Sequence, residues 1–102
     1  MSDLESEIYD IATQMLQGQI DLIEGCHNIT SLSYQLNKTN NVFLFFKGIA
    51  SETEHFPFGK IRDTCSSEYL VRLDLEKENY LIQIKEDIFK ACLKLQQIIN
   101  NK

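Results

Sequence analysis

Apolar residues near the start of the chain recur at the spacing of an amphipathic helix. Ser2 followed by Glu5 matches a capping box, in which each side chain accepts a hydrogen bond from the other residue's backbone N–H, so a helix is predicted to begin there. Gly18 is a suitable stop for this helix, because glycine adopts the left-handed backbone conformation without strain. The predicted core-facing residues are Leu4, Ile8, Ile11 and Met15.

A second amphipathic helix is predicted after a short turn. Asp21 and Glu24 match another capping box. Gly25 lies on the apolar face of this helix, where a glycine costs about 1 kcal/mol of helix propensity. It indicates a close approach to another helix, with a tolerated glycine of no structural role as the alternative. The polar connector 37–41 and the turn before the helix are both short, which favours antiparallel neighbours. The predicted apolar face consists of Leu22, Cys26, Ile29, Leu32, Ser33 and Leu36.

The segment from Val42 to Ile49 has an ambiguous period. Its β-branched and aromatic residues favour a strand, but a single strand with no partner elsewhere in the chain would be unstable. We therefore expect a short buried helix, with a strand as the alternative. Residues 51–62 are predicted to be irregular, because Pro57 disfavours helical geometry at the preceding residue and Gly59 permits a turn.

The last segment predicts the longest helix. Ser66 or Ser67 is the expected N-cap. An apolar stripe, interrupted only by Lys77, spans about thirty residues, which corresponds to a helix roughly 45–50 Å long. The first two helices are about half that length, so this helix either kinks near residues 74–78 or projects beyond the bundle. The stripe consists of Leu70, Leu73, Tyr80, Leu81, Ile84, Ile88, Ala91, Leu95, Ile98 and Ile99.

A second apolar stripe lies on the opposite side of the same helix. A helix that is apolar on two sides is either central in the fold or faces a partner. Both interpretations remain open at this point: packing inside the monomer, or a surface for a homodimer or another protein. The residues of this possible oligomer face are Leu75, Ile82, Phe89 and Leu93.

The composition indicates one globular domain covering residues 1–102, with 43% apolar and 25% charged residues. The net charge of −5 argues against nucleic acid or an anionic membrane as a partner, since both require an excess of Lys and Arg. The longest apolar run, residues 42–46, is too short to cross a bilayer. Acidic residues stand where a secretion signal would carry a basic region, so we expect a cytoplasmic protein.

Candidate catalytic and metal-binding residues are few. Three widely spaced cysteines and two histidines show no metal-ligand spacing, so no metal or cofactor is expected, and Cys26 and Cys92 are interpreted as core residues. The stretch 51–63 is richest in mixed chemistry: it either binds a ligand or partner, or it plugs the core with its aromatic residues. An enzyme built around His55, Arg62 and Cys65 is a third, minor hypothesis.

The charge distribution is uneven. Residues 1–37 contain six acidic residues and no Lys or Arg. Three of these acids lie within about 60° on one flank of the first predicted helix. They either complement helix dipoles and aid solubility, or form an acidic face that attracts a basic protein. The expected partner contacts, including three acids of the irregular stretch, are Asp3, Glu7, Asp10, Glu52, Glu54 and Asp63.

A glycine-flanked helix start at residues 18–25 is followed by the pattern Ser-Glu-x-Glu-x-x-Pro-x-Gly at residues 51–59. On these motifs the sequence resembles, over about residues 14–96, a family of small, single-domain bacterial proteins of uncharacterised function. An aromatic residue, often Trp, stands in the family pattern where this chain has Cys65. The motif residues are Gly18, Ile20, Leu22, Ile23, Glu24, Gly25, Phe43, Phe46, Ile49, Ser51, Glu52, Thr53, Glu54, His55, Phe56, Pro57, Phe58, Gly59 and Arg62.

The resemblance implies an all-α protein with no assigned enzyme activity. Together with the residue patterns, it predicts a bundle of four to five helices with a long C-terminal helix. We expect a non-enzymatic protein-binding module. By analogy of size and charge, its most concrete form is an immunity-type protein that neutralises a bacterial toxin by covering a basic toxin domain with its acidic surface. The alternative is a homo-oligomeric structural or regulatory protein.

Overall fold

The chain forms an all-α bundle in a computed structural model that describes residues 2–36, 40–56 and 59–100. Four α-helices follow in order: α1 (Asp3–Leu16), α2 (Leu22–Leu36), α3 (Asn41–Glu52) and α4 (Ser67–Asn100), with a 3-10 helix at Gly59–Thr64 before the last. No strand occurs within these described ranges. The predicted fold class is confirmed, including the long C-terminal helix.

The helix starts follow from local side-chain caps. Ser2 and Glu5 form the predicted capping box at α1, with both reciprocal hydrogen bonds present. Asp21 Oδ2 accepts the N–H of Glu24 at 3.0 Å in α2, and Asn40 Oδ1 accepts the N–H of Val42 at 3.0 Å in α3. Gly18 ends the first helical region with a φ of +72°, as its position predicted.

Segment 42–49 is helical, so the expected helix is confirmed and the alternative strand is wrong. The reason is visible in the burial pattern of α3. Its buried residues recur at intervals of one, three and four positions, which is the spacing of a helix face and not of a strand. These residues are Val42, Phe43, Phe46, Ile49 and Ala50.

Gly25 lies at a close approach between α1 and α2, as the sequence predicted. A Cβ atom at this position would stand 2.5 Å from Met15 Sδ and 2.6 Å from Met15 Cγ. No side chain fits there unless Met15 moves. The glycine therefore allows the fully buried Met15 to fill the space between the two helices.

Helix α4 is helical without interruption from Ser67 to Asn100. Its 34 residues correspond to about 51 Å, against about 21 Å for α1. Leu73 and Ile99 near its two ends are both buried, so the expectation that α4 projects beyond the bundle is wrong; different neighbours cover its two halves. Helix α1 runs antiparallel to its C-terminal half: the thiol of Cys92 lies 3.9 Å from Met15 Sδ, and Gln96 Nε2 donates to Thr13 Oγ1 at 2.7 Å. The N-terminal half of α4 instead meets Ile23 of α2, Glu52 of α3 and Phe56 in the segment that follows α3.

Two apolar clusters hold the bundle together. The larger one joins all four α-helices and includes the fully buried Phe46, Ile88 and Leu95. The smaller one consists of Ile23, Phe56 and Leu73 and lies beneath the residues that follow α3. Phe56 is 5% exposed, so it plugs the core, as one of the two interpretations of this stretch proposed. Phe58, which shared that interpretation, lies outside the described residues.

Candidate functional site

An apolar row of side chains runs along α4 on the side that faces away from the bundle. We call it the outward face; it consists of Val71, Leu75, Ile82, Phe89 and Leu93. The exposed fractions are 61% for Val71, 57% for Leu75, 79% for Ile82 and 53% for Leu93, while Phe89 is half-buried. Packing inside the monomer, one of the two interpretations left open, is therefore wrong for the three exposed residues of the predicted stripe.

The outward face and the core face of α4 lie on nearly opposite sides of the helix. At about 100° per residue, the five outward residues fall within roughly 40° of one another and about 130° from the centre of the buried residues of α4. Val71 was missed from the sequence. It lies four positions before Leu75, so the helical period alone contained the signal.

A groove of about 300 Å³ adjoins the outward face at Ile82. Its floor is apolar and joins α4 to the first residue of α2. Glu78 and Lys85 stand on its rim with opposite charges, and both are exposed. The lining residues are Leu22, Glu78, Leu81, Ile82 and Lys85.

A second concavity, a cleft of about 420 Å³, lies under the segment that joins α3 to α4. It is partly the region that the mixed chemistry of residues 51–63 had singled out. It also contains a side chain of α2 and one of α4, which no local pattern could have placed there. The lining residues are His27, Glu54, His55, Phe56, Ile61, Cys65 and Tyr69.

The histidine from α2 is tied to the end of α3. His27 Nε2 lies 2.8 Å from Thr53 Oγ1, and that hydroxyl donates to the carbonyl of Ile49 at 2.7 Å. Because the single hydroxyl proton is used in this way, Nε2 of His27 is the donor to Thr53. Burial lowers the pKa of His27 below its ordinary value, since the charged ring is poorly solvated there.

The three residues of the minor enzyme hypothesis are not all brought to this cleft. His55 and Cys65 line it, whereas Arg62 is turned toward α4. Both terminal nitrogens of Arg62 donate to the carboxylate of Asp74 at 3.0 Å, and this bidentate pair raises the pKa of Arg62 and lowers that of Asp74. His55 Nε2 lies 3.6 Å from Oε2 of Glu76, which, like Asp74, belongs to α4.

An ion pair between α4 and the start of α2 explains the interruption in the core stripe of α4. Lys77 Nζ lies 2.6 Å from Asp21 Oδ1, and the two side chains are 19% and 33% exposed. Asp21 thus serves two roles, as the cap of α2 and as the partner of the one cation on the core side of α4. The sequence showed both residues but not their pairing.

The six acids expected to contact a partner fall into two separate groups. Glu52 accepts a hydrogen bond from the Tyr80 hydroxyl at 2.8 Å, Glu54 lines the cleft, and Asp63 neighbours the Arg62 pair. All three lie along the N-terminal half of α4. The acids of the other group, Asp3, Glu7 and Asp10, are exposed on α1, which packs at the opposite end.

The separation follows from the length of α4. Glu52 lies beside Tyr80 of α4, to which it is hydrogen-bonded. Helix α1 lies beside Gln96 of α4, which also donates to the carbonyl of Tyr9. Sixteen residues of helix separate Tyr80 from Gln96, or about 24 Å. A single contact surface that includes all six carboxylates would therefore have to extend over about 24 Å of α4.

The buried cysteines belong to the core. Cys26 and Cys92 are fully buried, and burial raises the pKa of both thiols, that of Cys92 to about 12. Cys65 is half-buried and lies 3.6 Å from the carbonyl of Ile61. Across the three described ranges, no three His, Cys, Asp or Glu side chains are grouped so that they could hold a metal ion.

None of the helices in the described part of the chain combines the length and the apolar character needed to cross a membrane. Searches of curated proteins and of solved structures gave no match. A family model described as "Protein of unknown function (DUF2489)" matches residues 2–95, which is most of the chain. By this match, the chain belongs to the DUF2489 family of proteins of unknown function.

Proposed function

We propose that this chain is a non-enzymatic protein-binding module and that it binds its partner through the outward face of α4. The observation that carries this proposal is the exposure of Val71, Leu75, Ile82 and Leu93 in one row. From Val71 to Leu93 the row is about 33 Å long. Single exposed apolar residues are common on monomeric proteins, but several of them aligned on one side of a helix over this length are typical of an interaction surface.

The binding energy expected from the outward face alone is small, so a contribution from the groove is expected as well. Full burial of a Val, Leu or Ile side chain contributes about 1.5–3 kcal/mol, so the exposed parts of these four side chains supply roughly 4–8 kcal/mol. Loss of translational and rotational freedom costs about 4 kcal/mol or more on association. The apolar row alone therefore gives weak binding, and the charged groove beside Ile82 is expected to add to it.

Several side chains suited to catalysis are occupied by structural contacts, although His55 and Cys65 line the cleft, and this supports a role without chemistry. Arg62 is held by Asp74 and His27 by Thr53. The thiols of Cys26 and Cys92 are buried and protonated, and a thiol is a nucleophile only as the thiolate.

Position-specific photo-crosslinking in cells tests the proposal. A photoreactive amino acid is placed at Ile82 or, as a matched control, at Gln83, which is exposed but about 100° away from the outward face. A discrete adduct is expected from position 82 and not from position 83. Leu75→Glu, elsewhere on the outward face, is expected to abolish that adduct. Equal labelling from both positions, or no adduct at all, would overturn the proposal.

A second candidate keeps protein binding but assigns it to α1. In this hypothesis an immunity-type protein neutralises a cognate bacterial toxin through Asp3, Glu7 and Asp10. The observation in its favour is that these three acids are exposed and make no ion pair within residues 2–36, 40–56 and 59–100. A photoreactive residue at the neighbouring Ser6 is then expected to capture a basic protein, with yield falling as salt is added. Capture of no basic protein would contradict it.

A further inference from the structure

The outward face of α4 has a spacing that is symmetric about Ile82. Leu75 and Phe89 lie seven residues before and after it, and Val71 and Leu93 lie eleven residues before and after it. Viewed down the helix axis, one member of each pair points about 20° to one side of Ile82 and the other about 20° to the opposite side. The positions of the apolar residues are therefore the same in either direction along the helix, although the residue types differ.

We propose that the partner of this face is a second copy of the chain, with the two α4 helices antiparallel across a two-fold axis at Ile82. This inference rests on the proposed function and names its partner. The two-fold places Ile82 against Ile82 of the partner subunit and Leu75 beside Phe89 of the partner subunit. It also places Val71 beside Leu93 of the partner subunit. Because the members of each pair lie on opposite sides of the row's midline, they interdigitate and do not meet head-on.

The charges beside the row favour the antiparallel arrangement. Glu78 lies four residues before Ile82 and Lys85 three residues after it, and both lie on the same flank, about 20° apart. A two-fold axis perpendicular to antiparallel helices places the same flank of both helices on the same side of the dimer. It brings Glu78 to the level of Lys85 of the partner subunit, to within about 1.5 Å along the helix. A parallel, in-register pair would instead place Glu78 beside Asn79 of the partner subunit and Lys85 beside Glu86 of the partner subunit, so only the antiparallel pair gives Glu78 an opposite charge.

The groove extends the same contact. Glu78 and Lys85 stand on its rim, and neither forms an ion pair with another described residue. In the antiparallel dimer both rim charges acquire an opposite charge, and the symmetry forms that pair twice. The apolar floor of the groove, which includes Leu22 of α2, then lies next to the edge of the interface and is shielded from water.

Self-pairing at Ile82 is tested with the full chain by light scattering coupled to size exclusion and by sedimentation equilibrium. The wild type is expected to be dimeric at high micromolar concentration. Ile82→Glu and Ile82→Lys each place like charges across the axis and are expected to weaken the dimer about 100-fold. An equimolar mixture of the two variants is expected to restore dimers, because the unlike charges then face each other. Gln83→Glu, off the face, is expected to leave dimerisation unchanged.

Charge exchange tests the orientation. Glu78→Lys and Lys85→Glu each place like charges side by side and are expected to weaken the dimer about tenfold. The double variant is expected to return to the wild-type dissociation constant. Restoration by the double variant requires an antiparallel pair, and its failure to restore would overturn that arrangement.

A wild-type chain that is monomeric at high micromolar concentration would overturn the second copy as the partner. Crosslinking from position 82 then shows whether only the dimer is wrong or whether protein binding through the outward face is wrong as well. An adduct twice the mass of the chain supports the dimer. An adduct with a different protein overturns the dimer but supports protein binding, and the absence of any adduct overturns both.

Discussion

Replacement of Gly25 by alanine gives a direct measure of the close approach between α1 and α2. The added Cβ would stand 2.5 Å from Met15 Sδ, a distance that real contacts do not reach, so Met15 has to move by about 1 Å. Met15 is 0% exposed, and its sulfur also accepts from the Cys92 thiol, so little free space is available to it. The substitution therefore overpacks the core.

Two effects of opposite sign decide the result. Alanine in place of glycine inside a helix adds about 1 kcal/mol to stability. Overpacking of a well-filled core costs about 1–3 kcal/mol. We expect the free energy of unfolding of Gly25→Ala to fall by about 1 kcal/mol, which corresponds to a decrease of about 4–8 °C in the melting temperature of a domain this size.

Gly48→Ala is the matched control. Gly48 is exposed inside α3, and a Cβ atom there would have no neighbour within 4 Å, so only the propensity gain applies. Urea and thermal unfolding, followed by far-UV circular dichroism, are expected to show this variant stabilised by about 1 kcal/mol. If Gly25→Ala were stabilised to the same extent, the close approach would place no constraint on the fold and the reasoning would be refuted.

Three further predictions concern other contacts. Asp21→Asn keeps a capping side chain but loses the charge that pairs with Lys77, whereas Asp21→Ala loses both; urea unfolding is expected to show the alanine variant less stable than the asparagine variant by about 1 kcal/mol, and equal stabilities would exclude the cap. Because burial lowers the pKa of His27, the unfolded chain binds a proton more readily than the folded one as the pH falls. The free energy of unfolding is therefore at its full value above the unfolded-state pKa and decreases from neutral to mildly acidic pH. His27→Gln should flatten that decrease in a series of urea titrations, and an unaltered profile would contradict the assignment. In native protein a thiol reagent is expected to label Cys65 quickly and the two fully buried cysteines only after denaturation; Cys65→Ser should remove the fast phase, and a second fast thiol would be inconsistent with the core.

Features that depend on neighbours in sequence were predictable. The capping box at Ser2, the glycine stop at Gly18 and the two opposite apolar sides of α4 are each set by residues within a turn or two of one another. Helix periodicity and capping are local properties of the chain. Even the close approach at Gly25 was indicated, because a glycine on an apolar helix face requires a reason from outside its own helix.

Contacts between distant parts of the chain could not be predicted from local patterns. The pairing of Lys77 with Asp21, the turn of Arg62 toward Asp74 and the entry of His27 into the cleft join residues that are 12 to 56 positions apart. No period or motif specifies which of several charged residues meet, since that depends on how the helices pack.

The same distinction applies to the candidate surfaces. Residue spacing and composition were enough to predict that α4 carries two apolar sides and that acids concentrate on α1. The packing of the other helices, mainly α1 and α3, against one side of α4 left its second side exposed and divided the six acids into two distant groups. Burial is a property of the assembled bundle, because a helix face becomes core only when another helix covers it.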